Sequence, residues 1–266
     1  MKILSWEELG SGHGLDSPIA AAIGVFDGLH IGHRELVGQV LGREGLSSTI
    51  VTFTENPKRI LSPSTFHGEL STLDQRISLI GSMGVDLCVL IDFSGDFSKL
   101  PGRRFLSLLR ENGGLRFLAV GSDFRCGYRL DTDAEGIRRF CAERSIDVEF
   151  LGAVRWAGHP VSSSRIRKAV LEGRLDDAAM MLGRPFEIDL RDAGFSPPGR
   201  FTPVGRQARP PVGLYEAAVS SSADPAAVGV EALAELATDG SWSMGEGDFT
   251  GSSPVGLRLV RMVSRE

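Results

Sequence analysis

Between residue 18 and about residue 185, short apolar runs alternate with segments of helical periodicity. The apolar runs predict buried strands at Ile19–Phe26, Ser48–Phe53, Leu87–Ile91, Phe117–Val120 and Val148–Leu151. The segments that follow them predict helices at His33–Arg43, Thr72–Met83, Pro101–Asn112, Asp133–Arg144, Ser164–Glu172 and Leu175–Leu182. Strands that alternate with helices in this way predict an α/β fold on an open, doubly wound parallel sheet, which binds its ligands outside the carboxyl ends of the strands.

The pattern changes after Gly183-Arg184-Pro185, where Gly, Pro and Ser begin to interrupt short apolar runs. Residues 186–266 hold 7 arginines against 11 acidic residues, so they offer no bulk positive charge. Strands are predicted at Val212–Ser220, Ser241–Gly245 and Val255–Val263, a strand or a short helix at Pro225–Leu236, and turns at residues 196–199 and 220–227. We therefore expect two domains, residues 1–185 and a small β-rich domain, an antiparallel barrel or sandwich, at residues 186–266.

Composition narrows the class of protein. The chain is 42% hydrophobic and 24% charged, which is typical of globular domains and excludes a disordered chain. The net charge of -5 argues against a nucleic-acid partner, and the longest apolar stretch, residues 18–26, is far shorter than the roughly 20 residues of a membrane span. Three cysteines without a CxxC pair favour neither a disulfide framework nor a zinc site, so we expect a cytoplasmic protein.

The segment Gly24-Val25-Phe26-Asp27-Gly28-Leu29-His30-Ile31-Gly32-His33 lies where the first predicted strand ends and the first helix begins. Its glycines let the backbone approach a ligand closely. His30 and His33 are three residues apart, so both imidazoles project near the N-terminus of the helix. That helix end favours a phosphate through its N–H groups and its dipole, and two imidazole donors would stabilise charge that develops on a phosphoryl group.

A second polar segment, Val161-Ser162-Ser163-Ser164-Arg165-Ile166-Arg167, again joins a strand-like run to a helix. Its hydroxyls can cap the helix and donate to phosphate oxygens, and its two arginines supply delocalised positive charge. An ordinary serine-capped surface helix is the alternative. If this segment lies at the same sheet edge as Gly24–His33, it supplies a second group of phosphate ligands that faces the first group.

Two further loops follow predicted strands. Asp123 and Phe124 stand between two glycines, where they could position a hydroxyl or a flat ring, although Asp123 also suits a simple turn. Asn56 and Pro57 follow the second strand, and both residue types are also common in turns. Cys126 has no neighbouring base in the sequence, so we do not expect it to be a nucleophile.

These motifs resemble a known family. Gly24–His33 is similar to the HIGH-type signature of nucleotidyltransferases, and its GxFDGxHxGH form resembles the adenylyltransferase half of bacterial bifunctional riboflavin kinase/FAD synthetases. The other motifs agree in order: Phe53–Pro57 with F-x-x-H-P, where Asn56 replaces His; Gly121–Gly127 with G-x-[DN]-F-x-x-G; Val161–Arg167 with VSSTRIR, where Ser164 replaces Thr; and Leu182–Phe186 with LGRPY. The resemblance covers about residues 15–190 and implies a Rossmann-like nucleotidyltransferase sheet.

The resemblance also implies a reaction in which the phosphate of FMN attacks the α-phosphorus of ATP, giving FAD and pyrophosphate. Mg²⁺ would be held mostly by phosphates and water, with no protein ligand predicted. The implied catalytic residues are His30, His33, Arg165 and Arg167. The implied ATP-binding residues are Gly24, Phe26, Asp27, Gly28, Gly32, Ser162, Ser163 and Ser164. The implied flavin-binding or positioning residues are Asn56, Pro57, Asp123 and Phe124.

In the bifunctional family a riboflavin kinase barrel follows, with a P-T-A-N segment and a later catalytic glutamate. Neither is recognisable here: Phe201-Thr202-Pro203-Val204 lacks the asparagine, although Pro211-Val212-Gly213-Leu214-Tyr215 resembles a P-x-G-x-Y strand of that barrel. We therefore expect a degenerate kinase-like domain and FAD synthesis without riboflavin phosphorylation. The alternatives are a bifunctional enzyme, a nucleotidyltransferase with another acceptor such as a phosphopantetheine or pyridine-nucleotide precursor, a non-catalytic flavin or nucleotide sensor, and a tail that docks a partner.

Overall fold

The structure is a computed structural model that describes residues 1–11, 15, 17–93, 95–196, 199–203, 205–222, 224, 228–244 and 254–265. Its strands are β1 (Lys2–Ser5), β2 (Ile19–Ile23), β3 (Ser47–Phe53), β4 (Leu87–Ile91), β5 (Phe117–Gly121), β6 (Asp147–Leu151), β7 (Arg155–Trp156), β8 (His159–Pro160), β9 (Phe186–Asp189), β10 (Gly194–Ser196), β11 (Arg200–Thr202), β12 (Gly213–Ser220), β13 (Val230–Leu236), β14 (Trp242–Met244) and β15 (Gly256–Arg265). Its α-helices are α1 (Trp6–Gly10), α2 (Ile31–Gly38), α3 (Lys58–Leu61), α4 (Leu73–Ser82), α5 (Gly102–Gly113), α6 (Ala134–Ala142), α7 (Ser163–Leu171) and α8 (Leu175–Leu182). Across these described ranges, none of the helices has the length and apolar character that a bilayer crossing needs.

The chain divides into two compact units. Unit 1 comprises Met1–Phe26, Gly32–Ser64 and Met83–Val154. Unit 2 comprises Asp27–Ile31, Thr65–Ser82 and Arg155–Glu266. The domain boundary predicted after residue 185 stays a prediction.

Unit 1 contains a six-stranded parallel sheet with the order β1-β4-β3-β2-β5-β6. The chain runs outward from β2 through β3 and β4, then crosses to β5 and β6 on the other side of β2. This order confirms the predicted doubly wound sheet, and its switch point lies at the carboxyl ends of β2 and β5. The sixth strand, β1, was not predicted because it is an edge strand in which only Leu4 is buried.

Local sequence explains where the elements of unit 1 begin and end. All five residues of β2 are buried, as expected for a central strand of a parallel sheet that is covered on both faces. The strand ends at Ile23, earlier than predicted, and Phe26 already has a left-handed φ of 52°. Helix α5 begins after Pro101 and ends at Gly114, whose φ of 62° caps the helix in the left-handed conformation.

Unit 2 contains a seven-stranded antiparallel sheet with the order β10-β11-β14-β13-β12-β15-β9. Its core includes Tyr215 and Trp242, whose ring centroids lie 5.6 Å apart. The predicted β-rich character is therefore confirmed, and the ambiguous segment before residue 236 forms the strand β13. Of the two predicted turns, residues 197, 198, 223 and 225–227 lie outside the described residues, as does Gly245 at the end of the predicted strand Ser241–Gly245.

The core of unit 1 gives a direct test of the fold. Leu106 on α5 is fully buried in that core, so Leu106→Ala should lower the free energy of unfolding by about 2–5 kcal/mol through lost burial and the cavity left behind. Leu61→Ala, at a site that is 65% exposed, is the matched control and should change it by less than about 0.5 kcal/mol. Urea unfolding measures both values, and equal losses would contradict the assignment of Leu106 to the core.

Candidate active site

The loop after β2 has an unusual backbone. Phe26, Gly28 and Leu29 all have positive φ, at 52°, 79° and 39°. A left-handed conformation costs a residue other than glycine about 1–3 kcal/mol and persists only where the surroundings enforce it. The side chains of Phe26 and Leu29 are 0% and 1% exposed, so their burial helps to hold the strained backbone.

Asp27 fixes this loop through its carboxylate, which is almost completely buried. Its Oδ1 accepts the N–H groups of Leu70 (2.7 Å) and Ser71 (3.3 Å), and its Oδ2 accepts Nη2 of Arg167 at 2.5 Å. The hydroxyl of Ser163 donates to the backbone oxygen of Asp27 at 2.9 Å. Burial raises the pKa of the Asp27 carboxyl, and the Arg167 guanidinium and the Leu70 N–H oppose that rise. Asp27 therefore connects the loop, the segment before α4 and helix α7.

Gly28 is held from both sides of its backbone. Its N–H donates to Oγ of Ser71 at 3.0 Å, and its carbonyl oxygen accepts Nη2 of Arg184 at 2.8 Å. A Cβ at this position would lie 2.9 Å from Cβ of Leu70 and 3.2 Å from Cδ2 of Leu182. Together with the positive φ, this crowding leaves no room for a side chain.

The two histidines differ in environment. His30 is only 6% exposed, and burial lowers its pKa from the usual 6.5 to about 4, with a smaller contribution from the charge of Arg184. His30 is therefore neutral at neutral pH, so its imidazole can donate a hydrogen bond but supplies no positive charge. His33 lies in the first turn of α2, is half-buried, and has its ring 5.1 Å from the ring of Phe26.

The serine-arginine segment forms the start of α7. Ser162 is the N-cap and accepts the N–H of Arg165 at 3.3 Å, whereas Ser164 is exposed. Nη1 of Arg165 donates to the carbonyl oxygens of Trp156, His159 and Pro160, which belong to the β7–β8 hairpin, and its guanidinium lies 5.1 Å from the Trp156 ring. Arg167 is buried, and its Nε donates to the carbonyl oxygen of Gly68 at 2.6 Å.

The residues predicted to contact flavin lie in unit 1. Asn56 is 4% exposed and its Oδ1 accepts the N–H of Lys58 at 3.1 Å, while Pro57 is the N-cap of α3. Asp123 is exposed, and Phe124 packs against the core of the unit. Burial raises the pKa of the Cys126 thiol to about 12, which keeps it protonated and makes it a poor nucleophile.

Within unit 2 the structure therefore brings Asp27, Ser163 and Arg167 into direct contact, although they lie up to 140 positions apart. Within unit 1, Phe26 packs against His33, and its ring covers Gly24, where a Cβ would lie 3.2 Å away. Sequence reasoning did not assign Ser71 or Arg184 to the site. Arg184 stands inside the motif Leu182–Phe186, so that motif could have indicated it, whereas Ser71 belongs to none of the motifs.

Comparison with known proteins identifies the family. A family model described as FAD synthetase matches residues 14–165, more than half of the chain. The chain belongs to the FAD synthetase family. This membership confirms the resemblance drawn from the motifs.

Curated relatives are named bifunctional riboflavin kinase/FMN adenylyltransferase. The one from Escherichia coli (strain K12) is 30% identical over 205 residues, which cover 73% of this chain and 65% of the relative. The one from Buchnera aphidicola (subspecies Schizaphis graminum) is 28% identical over 182 residues, which cover 66% of this chain and 58% of the relative. These matches span less than two thirds of the relatives' own length.

A solved structure shares the fold. The crystal structure titled macrolide-efflux protein from Streptococcus pneumoniae superposes with a TM-score of 0.84 at 21% sequence identity, covering all of this chain and 92% of the other. At this identity the likeness supports the fold of this FAD synthetase family member alone.

The buried state of His30 predicts a pH dependence of stability. The unfolded chain binds a proton at His30 near pH 6.5, whereas the folded chain resists it until about pH 4. The contribution of His30 to the free energy of unfolding is therefore fully present above pH 6.5, and the free energy of unfolding falls by about 3 kcal/mol as the pH drops to 4. Urea unfolding of wild type and His30→Asn across this range should show that the variant lacks this part of the loss. The exposed His159→Asn serves as control, and an equally steep loss in His30→Asn would contradict the prediction.

The ion pair of Asp27 and Arg167 predicts a large cost for removing one partner. Asp27→Asn leaves the buried Arg167 without its carboxylate and should lower the free energy of unfolding by about 3–5 kcal/mol. Glu216→Gln, which breaks the exposed pair with Arg261, is the matched control and should leave the unfolding midpoint nearly unchanged. Similar midpoints for the two variants would mean that the buried pair does not hold the loop.

Proposed function

We propose that this chain is an FMN adenylyltransferase that transfers AMP from ATP to FMN, releasing pyrophosphate and forming FAD. The observation that carries the proposal is the FAD synthetase match over residues 14–165, which contains the loop fixed by Asp27 at the end of β2. In the reaction an oxygen of the FMN phosphate forms a bond to the α-phosphorus as the bond to the bridging oxygen of pyrophosphate breaks. No covalent enzyme intermediate is needed, so the residues act by positioning and electrostatics.

His30 and His33 would act on the ATP phosphates. Because His30 is neutral at neutral pH, it would donate an N–H to a phosphate oxygen without transferring a proton. Such a donor stabilises negative charge that grows on an equatorial or leaving oxygen. The first N–H groups of α2, which starts at Ile31, would add their partial positive charge at the same place.

The serine-arginine segment would supply the remaining phosphate contacts. Ser164 is exposed at the start of α7, so its hydroxyl and the helix N–H groups can reach a phosphate. Arg165 would contribute the charge: the three side-chain hydrogen bonds that it makes among the described residues all use Nη1. Arg167 would act through Asp27, since its Nε and Nη2 already bind Gly68 and Asp27.

Asn56, Pro57, Asp123 and Phe124 remain our candidates for flavin positioning, since they follow the carboxyl ends of β3 and β5. Among the described residues no group of three His, Cys, Asp or Glu side chains could hold a metal ion. Mg²⁺ that arrives with ATP and keeps its phosphate and water ligands stays a prediction. When bound, the ion offsets the charge on the pyrophosphate. A cytoplasmic location and the lack of a nucleic-acid partner remain predictions from composition.

We also propose that the chain does not phosphorylate riboflavin. The segment Phe201–Pro203 lacks the asparagine of the P-T-A-N motif, and two glutamates of the antiparallel sheet are held in ion pairs, Glu187 with Arg258 and Glu216 with Arg261. The relatives carry both activities in their names, so a bifunctional enzyme is the alternative. The two differ in one measurement, the formation of FMN from riboflavin.

Pyrophosphate release tests the activity. With ATP, Mg²⁺ and FMN the wild type should release pyrophosphate and form FAD in equal amounts, whereas riboflavin in place of FMN should give no FMN at an enzymatic rate. Removing one donor to a developing oxyanion costs roughly 10²- to 10³-fold in kcat, so His30→Ala and His33→Ala should each slow the reaction by that factor.

The exposed His159→Ala is the matched control and should keep the wild-type rate. Tight binding of both substrates without any pyrophosphate would instead favour a nucleotide or flavin sensor. A better rate with a phosphopantetheine or pyridine-nucleotide precursor would assign another acceptor.

A further inference from the structure

Residues 205–208, here called the brace, lie beyond the residues that the family model matches, and they run beside the segment before α4. Glu69 and Gln207 form a parallel bridge: the N–H of Glu69 donates to the carbonyl oxygen of Arg206 at 2.9 Å, and the N–H of Ala208 donates to that of Glu69 at 2.8 Å. A Cβ on Gly68 would lie 2.6 Å from the nitrogen of Ala208, so the two backbones are in close contact. All of these residues belong to unit 2.

The side chain of Gln207 is 8% exposed and its amide makes four hydrogen bonds. Its Oε1 accepts the N–H of Asp189 at 2.7 Å. Its Nε2 lies within hydrogen-bond distance of three acceptors: the carbonyl oxygen of Glu187 (2.9 Å), Oε1 of Gln75 (3.0 Å) and the carbonyl oxygen of Leu70 (3.4 Å). A buried amide with this many partners fixes the position of the groups around it, because each lost contact leaves a buried polar group unsatisfied.

The same short segment that the brace holds is the one that holds the loop. The N–H of Leu70 donates to Asp27, Oγ of Ser71 accepts the N–H of Gly28, and the carbonyl oxygen of Gly68 accepts Arg167. Residues 68–71 therefore contact the brace through the backbone of Glu69, and they contact the loop through the N–H of Leu70 and the hydroxyl of Ser71. The strained φ angles of the loop make it dependent on such external contacts.

We propose that Gln207 is a positioning residue for adenylyl transfer, which fixes the loop Asp27–Ile31 through residues 68–71 and so gives the C-terminal sheet a part in the nucleotidyltransferase reaction. The proposal rests on the proposed function for its catalytic part and on geometry for its structural part. A small displacement of a phosphate-binding loop is costly, since misplacement by about 1 Å can lower a rate by about 10²-fold.

The first test is Gln207→Met, which keeps the length of the side chain and removes its hydrogen bonds. The amide hydrogens of Gly28, Leu70 and Ser71 should exchange roughly 10-fold faster than in the wild type. In the FMN adenylylation assay kcat should fall roughly 10- to 100-fold, with a smaller change in KM, because the loop is displaced rather than removed.

Ser241→Ala is the matched control. This buried hydroxyl lies in the same unit and bonds Arg200 and Asp239. It should lower the midpoint of thermal unfolding without changing kcat or the exchange of Gly28 and Leu70. If Gln207→Met lowers kcat no more than this control does at a comparable loss of thermal stability, the positioning role is wrong.

A second variant approaches the same network from α4. Gln75→Met removes the acceptor that Gln207 shares with the N–H of Thr72, so it should also speed exchange at Gly28 and Leu70. Because the two amides bond each other, the double variant should lose less kcat than the product of the single losses. If the loss of kcat in the double variant equals the product of the two single losses, Gln75 and Gln207 act independently and the proposed coupling is wrong.

Amide hydrogen exchange of the wild type tests the structural part of the proposal without any variant. Under native conditions the amides of Gly28, Leu70 and Ala208 should exchange through the same opening, because they belong to one connected network. Local exchange of Gly28 and Leu70 while Ala208 stays protected would overturn the proposal. If the wild type released no pyrophosphate from ATP and FMN, the proposed function would fail, and this exchange pattern would still decide whether the brace holds the loop.

Discussion

The carboxylate of Asp27 is the interaction on which the candidate active site depends. A buried charge is stable only where hydrogen bonds and an opposite charge replace water, and Asp27 obtains both from Leu70, Ser71 and Arg167. The same contacts hold a backbone that would otherwise relax from its positive φ angles. The acid of the Phe-Asp-Gly segment is therefore bound by groups of the protein itself.

The burial of His30 changes how charge is distributed in the site. In the free protein the His30 imidazole is neutral at neutral pH, so under the proposed function it would act as a hydrogen-bond donor, and the start of α2 and arginine side chains would supply the positive charge.

The sequence predicts the central strands of unit 1 because burial on both faces imposes continuous apolar runs such as Ile19–Ile23. It does not predict β1, in which only Leu4 is buried, so that no continuous apolar run marks the strand. The glycines and histidines of the motif predict the position of the loop, but the sequence does not predict which residue binds Asp27, since a guanidinium binds a carboxylate as well as a phosphate. In the sequence Arg167 could bind either group, and only the structure shows that it pairs with Asp27, 140 positions away. Gln207 gives no signal at all, because its role depends on which backbone groups lie around it.

The residues that fix the loop extend past the region by which the family is recognised. The matched region ends at residue 165, but Arg167 and Arg184, which bind Asp27 and Gly28, lie beyond it, as does Gln207. A loop whose conformation is strained needs more contacts than its own motif can provide. In this chain they come from α7, from Arg184 after α8 and, through residues 68–71, from the segment 205–208 between β11 and β12. Removing the chain from residue 205 onward would leave residues 68–71 without the backbone partner that holds them.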